Sequence, residues 1–472
     1  MADATTGSGD EPVLDLSAPR HLHVTNVGGA GMSAVATLLA EMGHRVTGHD
    51  PSTDSPFVPP LVALGIDVVG GPPPANLPDG VDAVVVSTAT PTDHPQVVAA
   101  RERGIPVWHR SGALAAMTAR RTTVAVAGTH GKTTTSALLA SILAGAGLDP
   151  GWVVGAGIPG LGHSATWGGE GPLVVEADES DGTFLALRSA AVLVTNVEPD
   201  HLEHWGGEPA LRAAFVRFVA GSAGPALLCA DDAGAIALVD ASAEPVTYGT
   251  APGSDYQIVD VVAEGTGVGF TLVHGDERVL VSVPAAPGLH NARNAAGALA
   301  AAHRLGVPLA TGADALGSFR GVARRFEVRG EAGGVLFVDS YDHLPTEVAA
   351  ALAAARSGPW RRVVCCFQPH RYSRTAALGS SFADAFEDAD LLAVTDVYAA
   401  GEEPRPGVTG KLVVEAVLDA HPWKAVAWLP SLDDVVAYLR TVLRPGDLCI
   451  TLGAGDLTSV PDRLIDALGG GT

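Results

Sequence analysis

Val124-Ala-Val-Ala-Gly128-Thr-His-Gly131-Lys132-Thr133-Thr-Thr is the stretch that decides the fold. A β-branched run enters a tight glycine turn, and Lys-Thr then opens an Ala/Leu-rich helical stretch from Thr133 to Ala146. That order aims backbone N–H groups and a helix N-terminus at phosphates. Lys132 is placed to reach terminal phosphates, and the Thr133 hydroxyl to hold magnesium. Val126 stands where the first glycine of the full P-loop spacing belongs, so spacing alone leaves a bland alternative, a glycine turn with an exposed lysine. The lysine is conspicuous in itself. The 472-residue chain has only Lys132, Lys411 and Lys424, and its other cations are arginine.

Outward from this turn, short strand-like runs alternate with helical stretches. Before it come strand His21 to Val24, helix Met32 to Met42, strand Arg45 to His49 and strand Ala83 to Ser87. After it come strands Leu173 to Glu176 and Ala191 to Thr195. A third series has strands Val335 to Asp339, Val363 to Phe367, Leu391 to Thr395 and Asp447 to Leu452. Such alternation predicts parallel βαβ units. The expected fold is α/β in three domains: 20–119 Rossmann-like, 120–325 a P-loop ATPase-type mostly parallel sheet, and 326–472 Rossmann-like again. Residues 1–19 read as a disordered lead, acidic and without signal-peptide character. Ser254 to Ala285 alternates apolar and polar residues and reads as a β-rich excursion in the middle domain.

Composition narrows the function classes. Lys+Arg 29 against Asp+Glu 52 gives a net charge of −23, which argues against nucleic-acid and membrane-surface partners because both need clustered positive charge. Apolar runs are strand length, far short of the roughly 18 residues a membrane span needs. Cys229, Cys365, Cys366 and Cys449 form no CxxC pair and sit in apolar runs, as buried thiols of a reducing compartment do. The chain is expected to be cytoplasmic.

Several further segments carry chemistry. In Glu176-Ala-Asp178-Glu-Ser-Asp181, carboxylates follow a buried strand, so Glu176 or Asp178 is placed to hold a metal bridging the phosphates; a solvated acidic loop is the alternative. His201, in Asn196-Val-Glu-Pro-Asp200-His201, follows the next strand in the same way; a lone histidine there is more often a satisfied loop residue than a ligand. The turn Asn26-Val-Gly28-Gly29-Ala30-Gly31-Met32-Ser33, with Asp50 ending the next strand, has the look of a dinucleotide fingerprint in which Asn26 replaces the first glycine; asparagine tolerates the positive φ that the turn needs. A nicotinamide cofactor is the obvious reading of that turn in isolation, but it can hold the pyrophosphate of any nucleotide-linked ligand. In Gln368-Pro-His370-Arg371-Tyr-Ser-Arg374, two guanidinium groups three residues apart suit one carboxylate or phosphate.

Taken in order, these segments resemble the Mur ligase family, ATP-dependent enzymes that build the peptide stem of peptidoglycan. The likeness covers nearly everything after the first twenty residues, including Ser87-Thr-Ala-Thr-Pro91, Gly288-Leu-His290-Asn-Ala-Arg-Asn294 and Gly321-Val-Ala-Arg-Arg325-Phe-Glu327. Later-acting relatives place a carbamoylated lysine about fourteen residues after the Asp-His pair. Leu211-Arg-Ala-Ala-Phe215-Val-Arg has none, as in the branch that adds L-alanine to UDP-N-acetylmuramate. The resemblance implies ATP on Gly128, Thr129, His130, Gly131, Lys132, Thr133 and Thr134, with His290, Asn291, Asn294, Arg325 and Asp339 also contacting it. It implies Mg2+ on Thr133, Glu176 and His201. The nucleotide-sugar would lie on Gly28, Gly29, Ala30, Gly31, Met32 and Ser33, with Asp50 and Ser87 near the nucleoside. Tyr341, His343, His370, Arg371 and Arg374 would receive the amino acid. The groups expected to act in catalysis are Lys132, Glu176, His201, His343, Arg371 and Arg374. The implied partners are small molecules only, and both monomer and homodimer stay open.

One loop departs from the family pattern. Asp339-Ser340-Tyr341-Asp342-His343-Leu344-Pro345-Thr346-Glu347 stands where relatives usually read Asp-Asp-Tyr-(Gly/Ala)-His-His-Pro-Thr-Glu. Ser340 shortens an acid expected at the ATP ribose, Leu344 removes a histidine, and Asp342 puts a carboxylate near the amino acid site. A free charge there would repel an incoming carboxylate by roughly 1–4 kcal/mol. Two competing readings follow: a Mur-type ligase for a different amine, and a nucleotide-binding homologue without ligase activity.

Overall fold

The computed structural model of the chain describes residues 14–469. Among them the fold is α/β, built on three mainly parallel sheets. The first contains β1 (His21–Thr25), β2 (Arg45–Asp50), β3 (Asp67–Gly70), β4 (Ala83–Val86) and β5 (Val107–His109), all parallel in the order β3-β2-β1-β4-β5. The order reverses between β1 and β4, which opens a crevice at their carboxyl ends. The turn Asn26–Ser33 leaves β1 there, and Ser87 leaves β4.

The second sheet contains β6 (Thr123–Ala127), β7 (Gly151–Val153), β8 (Ala165–Thr166), β9 (Leu173–Glu176), β10 (Ala191–Val194), β11 (Ala226–Cys229) and β12 (Pro245–Gly249). Its order is β12-β11-β10-β6-β9-β7-β8, with only β8 antiparallel. β6 therefore lies between β9 and β10, and the three motifs that leave these strands come out side by side. All four residues of β10 and all five of β6 are buried, which is why they read as unbroken apolar runs. The excursion is an antiparallel meander of β13 (Tyr256–Glu264), β14 (Gly267–His274) and β15 (Glu277–Val283).

In the third sheet, β16 (Glu327–Ala332), β17 (Val335–Ser340), β18 (Arg362–Phe367), β19 (Leu391–Val394), β20 (Val426–Trp428) and β21 (Asp447–Leu452) run in the order β16-β17-β21-β18-β19-β20. Only β16 is antiparallel. The carboxyl ends of β17 and β18 lie on either side of that of β21, so the diverged loop after β17 and the Arg pair after β18 share one edge.

The described chain condenses into two compact units. One holds the chain up to Gly157, Gly162–Tyr256 and Gly297–Gly312; the other holds Ile158–Leu161, Gln257–Ala296 and the chain from Ala313 on. In the first unit the sheet β1–β5 and the P-loop sheet are joined: Glu41 accepts hydrogen bonds from Thr166 Oγ1 at 2.8 Å and from the Trp167 N–H at 2.5 Å. The disordered lead needs correction at its end, because Leu14 and Leu16 are buried in the core of the first sheet; the rest of that segment, 1–13, lies outside the described residues. All four cysteines are free and buried, and burial pushes the Cys449 thiol up to about 12.

Candidate active site

The turn after β6 is fixed by the exit of β10. Gly128 has φ +135°, and a Cβ there would overlap Thr195 and Asn196. Thr195 Oγ1 donates to the His130 carbonyl at 2.6 Å, and the Asn196 amide accepts from the His130 N–H at 2.7 Å while donating to its carbonyl at 3.0 Å. Gly131, at φ +79°, caps the helix Lys132–Gly145; no side chain caps that end, and its first turn has no acid. No side chain therefore competes for its first N–H groups, and the positive end of the helix dipole stays unopposed by an acid in its own first turn.

Lys132 bends back to the turn, donating to the carbonyls of Gly128 at 2.6 Å and Thr129 at 3.2 Å and to Glu179 Oε2 at 2.9 Å. Burial works against its ammonium, but Glu179, Asp178 and Glu176 outweigh that and raise its pKa above the ordinary lysine value. The exposed lysine of the bland alternative is therefore excluded. Glu179 is almost fully buried, with Trp205 Nε1 bonded to its carbonyl at 3.0 Å. Breaking such a pair by removing one partner costs about 3–5 kcal/mol.

The expected metal ligands divide between two groups. Glu176 accepts from Thr133 Oγ1 at 2.8 Å and from the Gly155 N–H at 2.5 Å, so it braces the turn against β7. Asp178, Glu179 and His201 instead bring three ligand atoms within 4.8 Å of one another. Glu179 Oε1 is buried with no hydrogen-bond partner. Two carboxylates and an imidazole around such an oxygen fit a divalent cation such as Mg2+. His201 reaches the group from a positive φ of 51°.

In the first sheet, Asn26 does adopt positive φ, at 50°. The helix Ala30–Glu41 starts at Gly29 with no side-chain cap and no acid in its first turn. Two residues of the expected contact set are engaged within the protein. Met32 is buried in the core, so it contributes backbone only. Asp50 accepts from the Gly28 N–H at 2.8 Å and from the Ser52 N–H at 3.0 Å, which places it beneath the turn as a brace. Ser33 Oγ donates to the Ala30 carbonyl at 2.9 Å, and Ser87 Oγ lies 3.3 Å from Thr90 Oγ1.

The second unit carries the other predicted residues. Asn294 Nδ2 donates to Asn291 Oδ1 at 3.1 Å, and Asn291 Nδ2 to the Pro287 carbonyl at 2.8 Å, tying down the start of the helix Leu289–Arg304. Burial lowers the pKa of His290 to about 4. Asp339 is buried and bonded to Thr451 Oγ1 and Thr458 Oγ1, both at 2.7 Å, and to Arg324 Nε at 3.3 Å. Asp339 thereby anchors Arg324. After β17 and β18, the rings of His343 and His370 lie 5.5 Å apart, with Tyr341 edge-on to His343 and Tyr398 stacked on His370. Arg374 Nη1 lies 3.0 Å from His370 Nδ1. Burial, then His343, Arg374 and Arg371, lower the His370 pKa to about 4, so its ring is neutral at pH 7. Arg371 is held at φ +66° by a bond from its N–H to the Tyr398 carbonyl at 2.8 Å.

Asp342 is not a free charge. Ser340 Oγ donates to its Oδ2 at 2.5 Å, and Arg325 Nη1 lies 3.8 Å from its Oδ1. The carboxylate missing at 340 is replaced two residues on and turned toward the serine. Leu344 is buried, and its N–H, like that of His343, bonds to Glu347 at the start of the helix Pro345–Arg356.

Residues 21–122 match the Mur ligase family, catalytic domain; residues 126–302 the Mur ligase middle domain; and residues 324–455 the Mur ligase, glutamate ligase domain. The chain belongs to the Mur ligase family. Among curated Mur ligases it is 44% identical to the UDP-N-acetylmuramate--L-alanine ligase of Anaeromyxobacter sp. (strain Fw109-5), over 96% of this chain and 98% of that one. It is 42% identical to the enzyme of the same name from Paenarthrobacter aurescens, over 97% and 99%. The solved UDP-N-acetylmuramate-alanine ligase of Thermotoga maritima superimposes with a TM-score of 0.80 at 27% identity, covering 96% of this chain and all of that one. A murein peptide ligase from Psychrobacter arcticus gives 0.67 at 26% identity, with 96% and 99% covered.

Sequence reading of this Mur ligase missed Glu179 as the counter-ion of Lys132, although it lies in the quoted acidic run. Only the burial of one carboxylate among several separates it from its neighbours. It also missed Arg110, which no local motif marks, and its partner Asp181, the last residue of the same acidic run. Among the described residues no helix is long and apolar enough to cross a membrane.

Proposed function

We propose that this Mur ligase joins L-alanine to the lactyl carboxylate of UDP-N-acetylmuramate at the expense of ATP, in the cytoplasm. The observation that carries this reading is the 42–44% identity, over nearly the whole chain, to enzymes named for that reaction. The Lys132 turn and the pairing of Asp342 support it, because the first suits ATP phosphates and the second removes the charge that set L-alanine in doubt.

In the reading, ATP phosphates lie against the open N–H groups of the helix Lys132–Gly145, and Lys132 exchanges carbonyl contacts for phosphate oxygens. A lactyl carboxylate oxygen attacks the γ-phosphorus, the bond to ADP breaks, and an acyl phosphate forms. The neutral amine of L-alanine, having lost one proton from its ammonium, attacks the acyl carbon, and inorganic phosphate leaves. Asp178, Glu179 and His201 would hold Mg2+, which supplies charge neutralisation on the phosphates. His370, Arg371 and Arg374 receive the amino acid carboxylate, with the fixed guanidinium fork orienting the amine.

Phosphate release across a panel of amines tests the reading. Release is expected to require UDP-N-acetylmuramate, magnesium and an amine, with L-alanine turned over best and Asp342→Gly bringing no gain. Release independent of L-alanine, or a better amine, contradicts it.

A further inference from the structure

Arg110 opens the helix Arg110–Thr118 directly after β5. Its guanidinium forms an ion pair with Asp181 in the acidic run after β9, and Thr88 Oγ1 donates to the same carboxylate oxygen at 3.0 Å. Another terminal nitrogen lies so close over Gly31 that a Cβ at Gly31 would overlap it. Gly31 is the second residue of the helix Ala30–Glu41, whose N-terminus has neither cap nor acid. The Arg110 Nε is buried and has no hydrogen-bond partner. One edge of the fork is thus held by an acid while its remaining donors lie at an uncapped helix start.

Gly31 and Arg110 line a cavity of about 200 Å³ that continues past Phe57 and Val175 to Glu176 and Asp178. A ligand anchored at Gly31 would extend toward the P-loop carboxylates. Glu176 and Asp178 are the acids that line this cavity, and Arg110 is the one cationic side chain among its lining residues. A planar guanidinium with free donors meets phosphate oxygens bidentately.

We propose that Arg110 is a substrate-binding residue that grips the diphosphate of the nucleotide-sugar beside the uncapped start of the helix Ala30–Glu41, and that Asp181 is the positioning residue that holds its guanidinium over the turn. This rests on the nucleotide-sugar reading of that turn and adds two residues that the motif does not contain.

Calorimetric titration of UDP into the wild-type chain, Arg110→Ala, Arg110→Lys, Asp181→Asn and the Arg110→Ala/Asp181→Asn double variant tests it, with thermal melting as the fold control. Wild-type binding checks the reading of the turn, and absence of UDP binding by the folded wild type overturns that reading and the Arg110 assignment with it. Given wild-type binding, Arg110→Ala is expected to weaken UDP about 30–100-fold, Arg110→Lys to recover part of this, and the double variant to remain weak. In turnover, KM for UDP-N-acetylmuramate should rise by a similar factor while KM for L-alanine stays within about twofold. Unchanged UDP affinity in Arg110→Ala overturns the assignment. Restored affinity in the double variant also overturns it, because Arg110 would then serve only to neutralise Asp181.

Discussion

At the end of β6 one cation sits among acids; at the ends of β17 and β18 two arginines and two histidines sit together, with His370 neutral. Lys132 is wrapped by Glu179, Asp178 and Glu176, whereas His370 is flanked by Arg371, Arg374 and His343, and its pKa falls to about 4. The first region is built to keep its charges inside a buried network that a phosphate and a divalent ion can enter. The second keeps guanidinium donors available and withholds protons from its histidines, as suits a ligand that arrives with its own carboxylate. The difference explains how a chain of charge −23 binds polyanions. Positive charge is spent at a few fixed points, and backbone N–H groups do the rest.

Three measurements probe this contrast. The largest expected effect is at the acid-wrapped lysine: Lys132→Ala should lower kcat by about 10³-fold or more and also lower the melting temperature, because Glu179 is left buried and unpaired. Steady-state rates and melting curves check both, and a variant with near-normal kcat would show that the lysine is structural only. Next, Arg374→Ala should raise KM for L-alanine about 10–100-fold while KM for ATP moves less than about threefold. Parallel rises in both KM values would erase the separation of the two regions. The smallest effect is on stability. Folded His370 takes up a proton near pH 4, against about 6.5 in the unfolded chain, so the unfolded state binds more protons between these values. Stability is therefore full above about pH 6.5 and falls as pH drops toward 4, by about 1–3 kcal/mol for a partly buried ring. Melting temperature against pH should become less steep over that window in His370→Gln, with His23 and His290, which burial also lowers to about 4, supplying the slope that remains; an unchanged slope would mean that the ring is not held neutral.

The two regions also differ in how far they were legible. The P-loop turn is contiguous, and its geometry follows from backbone rules: positive φ at Gly128 and Gly131, an open helix start, and a strand on each side of β6. Sheet order then brings the acidic run and His201 to it without further information. What local sequence cannot say is which of Glu176, Asp178 and Glu179 is buried, because that depends on Trp205 and on the chain after β10, and so the pairing of Glu179 with Lys132 is not legible there. Asp342 shows the same limit. Read alone it is a repulsive charge, but with Ser340 and Arg325 beside it, it is a paired one. Asp50 and Asp339 likewise sit where ligand contacts are expected yet spend their oxygens on the protein itself.

The account turns on the carboxylate being activated at the Lys132 turn before the amine attacks. UDP-N-acetylmuramate labelled with ¹⁸O in both oxygens of the lactyl carboxylate, turned over with ATP and L-alanine, tests this by mass analysis of the released phosphate. One ¹⁸O should appear in each phosphate, carried across when the acyl phosphate breaks. Unlabelled phosphate, with one label kept in the amide product and the other found in water, would contradict the account.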